Sequence, residues 1–215
     1  HRFSEYKHQI NESLNGTRHF TGWNKDIIEP LLQHYGIKTH WIDIVDNIWV
    51  ALWFALHKTT STIADGREYI HMFENDDDEY GYVFLIGCDA QDKNPYQAGI
   101  YRSPSTIMVD LRKAVPSFFL RPHAQHALML RKRSDKYENF MDYTDRIIGI
   151  AKIRVKDGLK WIGQTGLLSV QSLFPPPYYD AGYANLLNEY KKPSNNQINT
   201  VDYIKLFGSI QDISY

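Results

Sequence analysis

Gln33-His34-Tyr35-Gly36-Ile37-Lys38-Thr39-His40-Trp41-Ile42-Asp43 decides the reading of this chain, because helical periodicity gives way to strand periodicity within it. Upstream, Asp26 to Tyr35 offers Pro30 as a first-turn residue, apolar Leu31 and Leu32, and Gly36 where a helix stop belongs. The pattern predicts a short helix that presents Gln33, His34 and Tyr35 near its C-terminus. Downstream, Lys38 to Ile44 alternates and is rich in aromatic and β-branched residues, which predicts a short strand. Together they set an amide, an imidazole, a phenol and the Thr39 hydroxyl at one strand edge beside Asp43, where a polar ligand can be gripped. The same residues also suit a purely structural role, with His34 and Tyr35 closing the helix and Asp43 opening the next turn.

Further along, Asp46 or Asn47 can cap a helix over Ile48 to His57 whose Ala, Leu, Trp and Phe residues occupy nearly every face, so burial is expected. A polar turn at Ala64-Asp65-Gly66 precedes two strand-like runs, Glu68 to Glu74 and Tyr82 to Cys88. Joined by the acidic connection Asn75 to Tyr80, they read as a hairpin with a long loop. Ser105 to Asp110 and Arg146 to Val155 are further strands, and Ser117 to Arg133 is mixed, with Pro122 starting a helix that carries His123, Gln125 and His126. The opening stretch to Leu14 has the three-and-four apolar spacing of an amphipathic helix. Beyond Pro175-Pro176-Pro177 come a helix from about Tyr179 to Tyr190 and a polar spacer, Pro193 to Asn199. The expected architecture is α+β, a mixed or antiparallel central sheet flanked by helices. Residues 1–192 form the domain, and 193–215 a linker and a tail that docks back on it.

The bulk numbers narrow the class. With 215 residues, 43% hydrophobic and 23% charged, the chain has the size and balance of one globular domain. It holds no run of the roughly 18 apolar residues that a membrane span needs. The formal net charge of −1 supplies no global field for nucleic acid or anionic lipid. Cys88 is the single cysteine, which excludes an intrachain disulfide and a cysteine-rich zinc site and fits a reducing, cytoplasmic setting. Lying in an apolar strand run, it reads as a buried, inert thiol. The chain opens on His1 without an apolar signal core, so it reads as a piece whose start is missing.

Three other constellations carry polar chemistry. Arg121-Pro122-His123-Ala124-Gln125-His126 sets two imidazoles three residues apart, a spacing open to a metal, although an ordinary polar face needs nothing more and no metal is expected. Arg121 suits an anion clamp or a structural ion pair. The acidic run Glu74 to Glu79 lacks the glycine and terminal Glu spacing of a calcium loop and reads as a solvated connection. Arg131-Lys132-Arg133 with Lys136 suits phosphate or a charged helix end, and a nucleic-acid reading needs it to join Lys152, Arg154 and Lys156 in one patch. A Gly-rich phosphate loop, a G-x-S-x-G elbow and an H-E-x-x-H motif are all absent.

The run Gln33 to Asp43, followed by Ala51-Leu52-Trp53-Phe54-Ala55, resembles the central signature of the FRG domain family, in which Q-H-Y-G-x-x-T leads into L-D and then an A-L-x-F-A helix. Arg121 with Gln125-His126-Ala127 resembles a later R-x-x-x-Q-x-G block, with Ala127 where Gly is usual. The likeness spans about Pro30 to Val155, and the Phe/Tyr-Arg-Gly tripeptide that names the family does not occur here. The resemblance implies a bacterial or phage setting, such as a toxin or defence effector. The order of elements also resembles that of ADP-ribosyltransferases, and this implies NAD as substrate and a protein or nucleic-acid acceptor. It implies His34 and Tyr35 on the nicotinamide side, Thr39 toward the ribose and Arg121 toward the pyrophosphate, with Gln33 and His126 also among the NAD-binding residues. Gln125 falls where a late Glu is wanted, which leaves Asp43 or Glu138 to supply the carboxylate. The competing class is a non-catalytic module that recognises a protein or nucleotide through Trp, Tyr and Arg side chains around Pro175 to Tyr183.

Overall fold

Ile27, Ile28, Leu31 and Leu32 recur at helical spacing and are all buried, and they draw α1, Lys25–His34, onto a sheet. Each such side chain taken out of water contributes about 1.5–3 kcal/mol. The structure, a computed structural model, describes residues 25–35, 39–64, 67–74, 79–89, 98–133, 141–163, 168–176 and 179–183. The helices read at the start of the chain and beyond Tyr183, the stop at Gly36 and the spacer and tail from 193 lie outside these residues. Pro30 is interior to α1 rather than in its first turn. The helix therefore forgoes one backbone hydrogen bond there, which burial of its apolar face offsets.

β1 is Ile42–Val45, shorter than the 38–44 strand expected, and Thr39 and His40 precede it in irregular backbone. Asn47 caps α2, Ile48–Leu56, accepting from the backbone N–H of Trp49 and Val50. α2 is not enclosed on all sides. Val50, Leu52, Trp53 and Leu56 are buried, whereas Ile48, Trp49 and Phe54 are exposed, because the helix packs by one side on β4 and α5. β2, His57–Ala64, follows with no intervening turn and pairs with β3, Arg67–Glu74. The expected hairpin of β3 with β4 is thus replaced. β4, Tyr80–Ile86, pairs instead with β8, Ile147–Arg154.

β5, Ile100–Arg102, and β6, Thr106–Asp110, lead into α3, Leu111–Ala114; α4, Leu120–Ala124, leads into β7, Ala127–Lys132. Gly99 enters β5 at φ +78°, where a Cβ would stand 2.7 Å from the Asp110 carbonyl oxygen. Only a residue without a side chain fits so close a backbone approach. A 3₁₀ turn, Thr144–Arg146, precedes β8, and α5, Val155–Ile162, and α6, Val170–Leu173, follow it.

Every pairing among the described residues is antiparallel, in a four-stranded sheet of order β1-β7-β6-β5 and two ribbons, β2-β3 and β4-β8. The architecture is α+β, as the sequence indicates. One core lies between α1 and the sheet, built on Leu31, Trp41, Val109, Phe119 and Met129. A second joins α2 to the β4-β8 ribbon and α5 through Trp53, Leu56, Val83 and Ile153, and Phe174 packs against both. Cys88 lies beyond the end of β4 and is exposed, not buried. Its thiol is nonetheless pushed up from its ordinary range by partial desolvation and the neighbouring Asp89 carboxylate.

Candidate functional site

The end of α1 and the start of β1 meet through one side chain. Gln33 donates from Nε2 to the Trp41 carbonyl at 2.7 Å and to Asp43 Oδ2 at 3.1 Å, while its Oε1 accepts from the Thr39 hydroxyl. Thr39 Oγ1 in turn accepts from the Trp41 backbone N–H at 3.1 Å. These partners fix which end of the Gln33 amide is oxygen. They also hold the irregular segment before β1 in place without ladder hydrogen bonds.

Beside Gln33, His34 Nδ1 lies 3.4 Å from Asp43 Oδ1, with the imidazole side chain 4% exposed and the carboxylate 55% exposed. Burial against protein would raise the Asp43 pKa, but hydrogen bonds from His34 and Gln33 outweigh it and hold the carboxyl below its ordinary value. An ionised Asp43 only accepts, so Nδ1 carries the proton and, in the neutral ring, Nε2 carries the lone pair. Nε2 is buried and has no hydrogen-bond partner among the described residues. The edge therefore holds an anionic, half-exposed carboxylate and an oriented imidazole.

Tyr35 points the other way, into the core. It is fully buried, and its hydroxyl donates to Asp180 Oδ2 at 2.5 Å. Desolvation and the Asp180 charge push its pKa well above the ordinary phenol value. Asp180 also accepts from the backbone N–H of Arg121 at 3.1 Å and of Tyr183 at 2.9 Å. The Arg121 guanidinium carbon lies 4.5 Å from the Tyr35 ring centre, 4.8 Å from that of Tyr183 and 5.6 Å from that of Phe174, an aromatic enclosure for a buried cation. Nη1 of Arg121 reaches the His34 carbonyl oxygen at 3.4 Å, while its Nε and Nη2 have no partner among the described residues. Burial pushes the Tyr183 phenol up to about 12 against the opposing effect of Arg121.

The two distant stretches thus do meet, and the space between them is filled by side chains. Gln33, His34, Thr39 and Asp43 cluster at the edge, and Tyr35 with Arg121 forms the buried layer behind it. Gln125 is buried and donates to the Leu173 carbonyl at 2.7 Å, which ties the turn after α4 to α6. Gln125 and His126 lie beyond α4 rather than on it, and His126 adopts φ 52°. His123 and His126 therefore do not share a helix face. His126 belongs to another network, with Asp46, Arg112 and Asn47 at 3.2–3.3 Å. Among the described residues no group of three or more His, Cys, Asp or Glu is placed to hold a metal. Glu138 lies outside the described residues.

Asp180 is the participant that the sequence did not mark. Its only local signal is that of a small polar residue before the short helical turn at Ala181. The basic group around Arg131 is spent on structure: Arg131 lies over Trp41 and faces Asp26 and Glu29, and Lys132 pairs with Asp145. No described helix is long and apolar enough to cross a membrane.

No curated protein and no solved structure matches the chain. The FRG domain family model does match, over residues 1–63, and its reach ends before Arg121 and Gln125. That span holds Gln33, His34, Tyr35, Thr39 and Asp43, so the edge of the site lies within the part of the chain that carries the FRG domain likeness.

Proposed function

We propose that the chain is an ADP-ribosyltransferase-like domain that takes NAD as substrate at the edge formed by Gln33, His34, Thr39 and Asp43. The observation that carries this reading is the Asp43 carboxylate, held ionised by Gln33 and His34 and still half exposed. In such a reaction the glycosidic bond between the ribose C1′ and the nicotinamide nitrogen breaks. Nicotinamide leaves neutral with the electron pair, and positive charge develops on the ribose. A preorganised anion stabilises that charge. Water, or a protein or nucleic-acid acceptor, then adds to C1′ and releases a proton, for which the exposed Asp43 carboxylate is the base, while His34, whose Nε2 is buried, holds that carboxylate in place. Gln33 and Thr39 spend their donor hydrogens on orienting the edge and offer the ribose hydroxyls only acceptor lone pairs. Gln125 has no part in this scheme, because its amide is committed to the Leu173 carbonyl. Tyr35 and Arg121 support it from behind. A toxin or defence role in a bacterial or phage setting goes with the FRG likeness.

The test is release of free nicotinamide from NAD by the full chain. Asp43→Asn is expected to slow release roughly a hundredfold, the scale of losing one preorganised charge-stabilising group, with the melting temperature little changed. No release by the unaltered protein, with or without a macromolecular acceptor, would overturn the proposal. A second reading, a non-catalytic nucleotide- or protein-binding module, is favoured by the full enclosure of Arg121 and Tyr35. Saturable NAD binding without turnover would select it.

A further inference from the structure

The β4-β8 ribbon presents a face that the proposed NAD chemistry does not use. Its register sets Tyr80 opposite Arg154, Tyr82 opposite Lys152 and Phe84 opposite Ile150. Side chains alternate across a strand, so Gly81, Val83 and Ile153 turn inward while Tyr82, Phe84, Ile148 and Ile150 stand outward. These four are 49%, 52%, 74% and 57% exposed. Lys152 and Arg154 stand on the same outer face and are exposed. Neither makes an ion pair among the described residues, and Lys152 Nζ lies 3.8 Å from the Tyr80 ring centre. Among the described residues each of the two strands pairs only with the other.

An apolar face alone does not name its partner; the cations do. One strand offers open aromatic rings two residues apart, about 6.8 Å along the backbone, and its neighbour at about 4.8 Å carries a row that includes two unneutralised cations. The complementary ligand is a polyanion with flat, unpaired bases on one side of its backbone. We propose that this face binds single-stranded nucleic acid, with bases stacking on Tyr82 and Phe84 and phosphates meeting Lys152 and Arg154. A duplex hides its base faces and would gain only the two cations. The patch is smaller than the one the sequence suggested, because the basic residues of β7 are paired elsewhere.

Fluorescence anisotropy tests this with fluorescein-labelled oligothymidylate and oligouridylate of about twelve nucleotides, within the site size of one such platform. A duplex of equal length serves as the comparison. Both single strands are expected to bind more tightly than the duplex. Phe84→Leu, which keeps an apolar group but no ring, should weaken binding roughly tenfold, and Phe84→Trp should restore it. With two phosphates contacted at a slope near −0.7 each, raising salt fourfold should cost about sevenfold in affinity. Lys152→Glu with Arg154→Glu should remove that dependence. These positions are exposed, so the melting temperature should hold for every variant. If Phe84→Leu does unfold the chain, the Lys152→Glu, Arg154→Glu pair decides the matter alone. The proposal is overturned if neither strand binds at low salt, if the duplex binds equally well, or if Phe84→Leu leaves binding unchanged. It is also overturned if sedimentation shows the face to be a self-association surface that Phe84→Leu disrupts.

Discussion

Asp180 joins three donors that belong to different parts of the chain: the Tyr35 hydroxyl, the Arg121 N–H and the Tyr183 N–H. Replacing it by Ala would strand all three in a core, where each unsatisfied group costs about 1–3 kcal/mol. Asp180→Ala is therefore expected to lower unfolding free energy in urea by at least about 3 kcal/mol. Asp180→Asn, which keeps an acceptor oxygen, should lose less. Another carboxylate supports a pH prediction. Asp89 is brought down to about 2 by hydrogen bonds from Ser105, Arg146 and Ser103. A group depressed in the folded state adds stability that is complete above its unfolded value, 3.8, and is lost as pH falls toward about 2. Melting temperatures of the unaltered chain and Asp89→Asn should differ by a constant amount above pH ~5 and converge as pH approaches ~2.

At the scale of elements, α2 seats on the ribbon by close approach. A Cβ at Gly81 would stand 2.6 Å from the Ala55 carbonyl oxygen, a backbone atom that cannot swing aside. Gly81→Ala should push helix and ribbon apart and cost about 1–3 kcal/mol, read from chemical denaturation, although alanine is the better residue for an unfolded-state argument. The elements with strong local patterns were legible: the body of α1, the cap and length of α2, β6 and β8. β5 was missed because three residues carry too little pattern. β7 was missed because Ala127, Leu128, Met129, Leu130 and Lys132 are good helix formers, and only flanking by β1 and β6 makes them a strand. β2 follows α2 with no breaker, so its start carries no local signal. The β3-β4 hairpin was a natural expectation for neighbouring runs, but pairing of β4 with β8 spans more than sixty residues and leaves no trace in either run alone.

Across the whole molecule, the two cores touch through Phe174, whose ring lies 6.3 Å from Trp53 and 5.9 Å from Phe54 by centroid and 5.6 Å from the Arg121 guanidinium carbon. Phe174→Ala should remove about 2–4 kcal/mol, somewhat under the cost of a fully buried Phe. Each core carries a tryptophan, Trp41 in one and Trp53 in the other, so uncoupling should split the near-UV transition into two and separate it from the far-UV transition, with which it coincides when unfolding is two-state. Coincident transitions in the variant would show that the cores are coupled by other contacts.

What the sequence determined by itself was the local chemistry: an α+β alternation, and a Gln33-His34 pair delivered by a helix end to the approach of a strand bearing Asp43. Those features depend on neighbours within about ten residues, where periodicity and turn chemistry act. Only the tertiary structure decided which polar groups face water. Tyr35 and Arg121 read alike with Gln33 and Asp43 as ligand-gripping residues, yet packing encloses the first two around Asp180 and leaves Asp43 at the surface. Burial depends on contacts between segments far apart in the chain, and a residue's own neighbours in sequence carry almost no information about them.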